Sequence, residues 1–196
     1  MLISIQKASE LLKEGRVIAV ATDTVFGLAA LPSIPSALLE IFSMKKRPTT
    51  QTLPLLGHSL GSFDSFVSEN PSELAAAFWP GALTIVLPAK EEIHPLLVEN
   101  KSVAIRVPNH PLLLEVLKIT GPLAVTSANI SGELPLTSPA EIEAKWGADF
   151  PIFGTHSSPE NIPSTIVKLE KGICSILRQG AIRESEILKV KGLEHV

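Results

Sequence analysis

The sequence predicts an α/β fold: a single domain in which a twisted, mixed β-sheet carries flanking helices. Three observations predict it. Segments with apolar residues at helical spacing alternate with short, nearly uninterrupted apolar runs, the interleaving that builds open sheets covered by helices. Apolar residues make up 45% of the 196 positions and charged residues 19%, which suits a packed core rather than a disordered chain. No internal repeat, low-complexity tract or dividing linker interrupts the alternation, so residues 1–196 read as one unit.

Ile5, Ala8, Leu11 and Leu12 recur at helical spacing and Gly15 supplies a stop, predicting a first helix. RVIAVAT, residues 16–22, reads as a buried strand. Pro35 in a first turn, with Leu38, Leu39 and Phe42 on one face, predicts a helix over 35–45. A short strand at 53–58 follows, then helices near 60–67 and 71–79. ALTIVLPA (82–89) and SVAIRVP (102–108) are strand-like, PLLLEVLKITG (111–121) is helical, and PLAVT (122–126) is another buried strand. Ser138-Pro139-Ala140-Glu141 has the form of a capping box and starts a helix. Residues 164–170 and 174–180 complete the set as two strands.

A net charge of −3 argues against broad nucleic-acid or membrane-surface electrostatics, so any anion site must be local. Cys174 is the sole cysteine, which excludes an internal disulfide and a CxxC pair. The opening MLISIQKASELLKEG places charges among its apolar residues, unlike a signal-peptide core. VIAVATDTVFGLAAL is broken by Asp23 and Gly27 and is too short to span a bilayer. The expectation is a cytoplasmic protein with no membrane partner.

Three strand ends are rich in polar residues: Thr22-Asp23-Thr24, then Thr126 to Gly132, and Ser164. Each could be only a turn or cap, but ligands of α/β sheets collect where such ends meet. Lys45, Lys46 and Arg47 form a cation cluster beside a proline loop. One such cation would complement a helix C-terminus, at about 0.3–1 kcal/mol. Three in a row suit an anion, with Arg as a planar fork and Lys as a mobile charge. Lys45 and Arg47 are expected to be solvated without ligand. His58 ends a strand beside this loop. Arg106 and Arg178 lie in apolar strands, where each must meet a cleft or an anionic partner. Strand alternation puts Arg106 with Ala104 and Pro108, opposite the aliphatic Val103, Ile105 and Val107, so it should face a cleft. P-loop, GxGxxG, GxSxG and HExxH patterns are absent, and the five histidines are scattered.

Eight segments, in order, resemble the YrdC/Sua5 family of threonylcarbamoyl-AMP synthases over residues 5 to 182. They are ATDTVFGLAA, KKRP (the family's KxRP), LPLLGH, WPGALTIVLP, VAIRVPNHP, TSANISG (its SxN), PSTIV and ILRQGAI. Departures are Ala21 for proline, Asp23 for glutamate, Lys46 for a small residue, Leu53 for a polar one, Lys168 for aspartate, and a loop lengthened by TTQTL.

The resemblance implies a single YrdC-like domain that makes threonylcarbamoyl-AMP and pyrophosphate from L-threonine, bicarbonate and ATP with Mg²⁺, with no metal ligand from protein side chains. The product would pass to a separate tRNA threonylcarbamoyl transferase complex acting on the adenosine beside the anticodon. It implies Lys45 and Arg47 as catalytic phosphate-neutralising cations, joined on the ATP side by Ser127, Asn129, Thr137 and Arg178. Thr22, Thr24, His58, Arg106 and Ser164 fall on the threonine and carbamate side. Two other readings stay open: a module that binds structured RNA, against which the mild negative charge weighs, and a nucleotide-binding paralogue without synthase activity.

Overall fold

The computed structural model describes residues 1–155, 162–190, 192, 194 and 195. Its strands are β1 (Leu2–Ile3), β2 (Ile18–Val20), β3 (Gly27–Ala30), β4 (Leu55–Leu56), β5 (Leu83–Pro88), β6 (Ser102–Arg106), β7 (Leu123–Ser127), β8 (Ile152–Phe153), β9 (Thr165–Glu170), β10 (Ile173–Arg178) and β11 (Glu194–His195). They form one mixed sheet in the order β1-β8-β2-β3-β7-β4-β6-β5-β9-β10-β11. The helices are α1 (Ile5–Lys13), α2 (Pro35–Lys45), α3 (Ser72–Phe78), α4 (Pro111–Thr120), α5 (Pro139–Trp146) and the short α6 (Glu184–Ile187). No described helix is long and apolar enough to cross a membrane.

Elements with strong end signals fall where the sequence puts them. Pro35 opens α2 at the expected residue, and Ser138 accepts from the Glu141 N–H to open α5. Two expectations need correction. The apolar run after residue 16 is a hairpin, with β2 and β3 paired antiparallel and Ile18 opposite Ala29. Its second arm, GLAA, lacks β-branched residues and so gives no strand signal. Gly27 serves close packing instead, because a Cβ there would stand 2.5 Å from Val125 Cγ1 on β7. The helix near 60–67 is a single 3₁₀ turn, Leu60–Phe63, closed by the Ser59–Ser62 capping pair. Val67 then bridges Ala89 instead of continuing the turn.

The sheet has a core on each face. Alternation along β2, β3 and β7 sends Ile18, Val20, Ala29, Leu123 and Val125 toward α1 and α4, where Ala8, Leu12, Leu113, Val116 and Leu117 close over them. Ala19, Leu28, Ala30 and Ala124 go to the opposite face, with Leu38 and Ile41 of α2 and Ile142 of α5. That second core continues under the rest of the sheet through Ile85, Leu87, Val103, Ile105 and Val167. The intervening residues of β5, β6 and β9, among them Thr84, Ala104, Arg106 and Ile166, line a cleft. One end of the sheet is thus sandwiched by helices, and the next part leaves one face open to a ligand.

The edge of that cleft depends on a close crossing at Gly180. A Cβ there would meet Pro163 O at 2.3 Å and Ser164 O at 2.5 Å, both backbone atoms. We expect Gly180→Ala to lower the unfolding free energy by about 1–3 kcal/mol, as overpacking against backbone does. Urea denaturation measures it, and an unchanged midpoint would contradict the crossing.

Candidate active site

The cleft has a volume of about 640 Å³. Of the site residues expected from the sequence, Thr22, Thr24, Arg47, Arg106, Ser127, Ser164 and Arg178 line it. Lys45, His58, Asn129 and Thr137 are not part of the lining.

Arg106 has the most constrained position. It is 5% exposed, and its guanidinium makes three directed contacts. Nε donates to Gly81 O at 2.8 Å, one terminal nitrogen to Thr24 Oγ1 at 3.0 Å, and the other to Asp23 Oδ1 at 2.6 Å. Burial lowers the guanidinium's pKa and Asp23 opposes that shift. Arg106 therefore meets both of the alternatives its sequence position left open, a cleft on one side and a carboxylate behind. Of its five N–H groups, two on the terminal nitrogens have no partner among the described residues. Val103, Ile105 and Val107 pack in the core as the alternation requires.

Thr22 and Thr24 are occupied internally. Thr22 Oγ1 donates to Val25 O at 2.7 Å and accepts from Thr24 N at 3.0 Å. The 3.0 Å contact between the two hydroxyls must then carry Thr24's proton, while Thr24 accepts from Arg106. Both threonines thereby hold Arg106 as well as lining the cleft.

The cation cluster divides into three roles. Lys45 is 1% exposed, which corrects the expectation that it is solvated. Its ammonium donates to Ser127 O, Asn129 O and Asn129 Oδ1, so the last residue of α2 anchors the loop after β7. Ser131 N returns a bond to Lys45 O at 2.8 Å. Burial, with a smaller contribution from Arg47, brings the Lys45 pKa down to about 8. Lys46 is exposed and left-handed, with φ 49°, and it turns the chain so that Arg47 reaches the cleft. Arg47 is only partly buried, and the lengthened loop holds it through Gln51 O at 3.0 Å and Thr52 O at 2.8 Å. Burial lowers its pKa and Glu99, which also lines the cleft, raises it.

Asn129 locks its own loop: Nδ2 donates to Ile130 O and Glu133 O, and Oδ1 accepts from Ser127 Oγ at 2.6 Å. Thr137 is exposed and bonds Glu141, in the cap of α5. The His58 ring contacts Ser62 Oγ at 2.9 Å in the 3₁₀ turn. Arg178 donates to Ser164 O at 2.8 Å, and burial followed by repulsion from Arg106 lowers its pKa. Sequence reasoning missed Thr84, which lines the cleft at 4% exposure, while Thr126, placed only in a polar strand end, lines it at 7%. Alternation along β5, with Ile85 and Leu87 in the core, could have found Thr84.

These contacts define a cleft built from cations and hydroxyls on an open mixed sheet. The Sua5/YciO/YrdC family, described as telomere recombination, matches residues 10–180. A threonylcarbamoyl-AMP synthase of Klebsiella pneumoniae is 34% identical over 184 residues, covering 90% of this chain and 96% of that protein. The Bacillus subtilis synthase is 36% identical, covering 98% of this chain, which spans 58% of that relative's length. The structure of Pyrococcus abyssi Sua5 complexed with L-threonine superposes with a TM-score of 0.90 at 30% identity, covering all of this chain and 62% of that one. This chain belongs to the Sua5/YciO/YrdC family.

The Asp23–Arg106 pair is buried on both sides, at 12% and 6% side-chain exposure. We expect Arg106→Met to destabilise the fold by about 3–5 kcal/mol because it strands a buried carboxylate. Chemical denaturation with and without L-threonine tests it, and an unaltered midpoint without ligand would contradict a structural role for the pair.

Proposed function

We propose that this chain is an L-threonylcarbamoyladenylate synthase, forming threonylcarbamoyl-AMP and pyrophosphate from L-threonine, bicarbonate and ATP. The observation that carries the reading is the donor set of the cleft. Arg47, Arg106 and Arg178 converge with the hydroxyls of Thr84, Ser127 and Ser164. Such a set binds phosphates and carboxylates and stabilises developing negative charge. The relatives' synthase names and the threonine complex of Sua5 support the same activity.

In this reading residues 1–196 act as one YrdC-like domain. Bicarbonate condenses with the threonine amine, releasing water and leaving a carbamate. A carbamate oxygen forms a bond to the α-phosphorus as the bond to the pyrophosphate oxygen breaks. Positioning and electrostatics supply the catalysis, so the protein needs no nucleophile of its own. Arg47 and Arg178 hold the triphosphate from the cleft walls. Lys45 adds its charge from beneath Ser127 and Asn129, and reaches phosphate by exchanging their carbonyl oxygens for phosphate oxygens. Arg106 offers its two remaining N–H groups to the threonine carboxylate, with Ser164 nearby. Mg²⁺ would arrive on the triphosphate, since no cluster of three metal-binding side chains occurs among the described residues. The product would go to a tRNA threonylcarbamoyl transferase complex.

We expect pyrophosphate release that requires both L-threonine and bicarbonate. Equal release with threonine omitted would overturn the synthase reading. A second expectation concerns pH. Lys45 is a cation below about pH 8 and neutral above it, so its phosphate interaction weakens as pH rises. The kcat/KM for ATP, which reports the free enzyme, should therefore fall as pH is raised through this value. A profile flat to pH 9.5 would remove Lys45 from nucleotide binding.

A further inference from the structure

Thr84 and Ser164 form a hydroxyl pair in the cleft floor. Their oxygens are 2.8 Å apart, and the residues are 4% and 8% exposed. Two hydroxyls bring two hydrogens, and a single contact between them uses one, whichever oxygen donates. Among the described residues neither hydroxyl has another hydrogen-bond partner. Buried hydroxyl hydrogens are seldom left without an acceptor, and both residues line the cleft. One O–H is therefore available to a ligand oxygen.

The sheet register says which ligand oxygen. Ile85 pairs with Ile105 across β5 and β6, and this antiparallel register brings Thr84 opposite Arg106 on the cleft face. A hydroxyl donor and a guanidinium with two unused N–H groups thus stand side by side, a combination that fits a carboxylate. Thr22 and Thr24 cannot fill this role, because internal bonds already use both of their protons.

We infer that Thr84, oriented by Ser164, is a further substrate-binding residue that donates to the carboxylate of the amino-acid substrate beside Arg106. The inference rests on the synthase reading. On the other side of β5, Ile85 is fully buried, so the strand cannot slip to withdraw the hydroxyl without exposing core. The donor is set before substrate arrives, which favours binding without a rearrangement.

Thr84→Val keeps the β-branched shape and removes the hydroxyl, while Thr84→Ser keeps the hydroxyl and removes a methyl. Pyrophosphate release would be measured with threonine and ATP varied separately, alongside melting temperature. Loss of a hydrogen bond to a charged group predicts a threonine KM raised about tenfold or more in Thr84→Val, with the ATP KM little changed. Thr84→Ser should stay near the wild-type threonine KM, and Ser164→Ala should raise it, because Ser164 orients the donor. A Thr84→Val threonine KM equal to wild type overturns the inference. So does a loss shared equally by threonine and ATP that tracks melting temperature, since the pair would then only tie β5 to the segment before β9. Wild-type release independent of threonine would instead reject the synthase reading. Threonine-dependent release unaffected by Thr84→Val rejects this inference alone.

Discussion

A guanidinium buried in a sheet needs a counter-charge, and much of this cleft is arranged around meeting that need for Arg106. Desolvating an unpaired charge costs several kcal/mol, more than most single interactions return. Asp23 supplies the charge, Thr24 and Gly81 O take further donors, and Thr22 fixes Thr24. The loop after β2, the turn before β5 and the end of β6 are thereby drawn to one point. Neutralised from behind, Arg106 can sit at the floor of the cleft without a ligand. Asp23 is one methylene shorter than a glutamate, and it still reaches the guanidinium at 2.6 Å.

A second buried cation, Lys45, does comparable work at the end of α2. Lys45 ends α2, yet its ammonium bonds carbonyls at the end of β7 and in the loop after it instead of those of its own helix. Asn129 sits in the middle of that arrangement, accepting from Lys45 and Ser127 and donating to Ile130 and Glu133. The KxR and SxN segments, far apart in sequence, are thus one mechanical unit. In the proposed function, phosphate binding by Lys45 competes with oxygens already in place, which sets a threshold that a poorly charged ligand would not pass.

Much of the architecture was legible because its signals are local. Pro35, the Ser138 cap and the period-two patterns of β5, β6 and β9 depend on neighbours a few residues away. The hairpin arm β3 was not, because Gly27, Ala29 and Ala30 are chosen to fit against β7 and the two cores, a demand that no local pattern reveals. The cleft followed the same division. Arg106 was legible from strand alternation, and most of the polar strand-end residues do meet. The burial of Lys45 was not, since a lysine between a helix and a basic loop resembles a solvated one until the β7 loop is folded over it. His58 and Thr137 illustrate the converse. Each sits in a recognisable motif, but local turns and caps engage their side chains.

Lys46 gives the cation cluster its geometry. Its left-handed backbone, φ 49°, separates a cation pointing into the protein from one pointing into the cleft. What the middle position contributes is a bend, and its side chain is exposed. What the position requires is the ease of adopting positive φ, for which glycine and asparagine are the least strained choices. A position open in side-chain chemistry can therefore be narrow in conformation. Reading such a site by side-chain type alone would miss what is being kept.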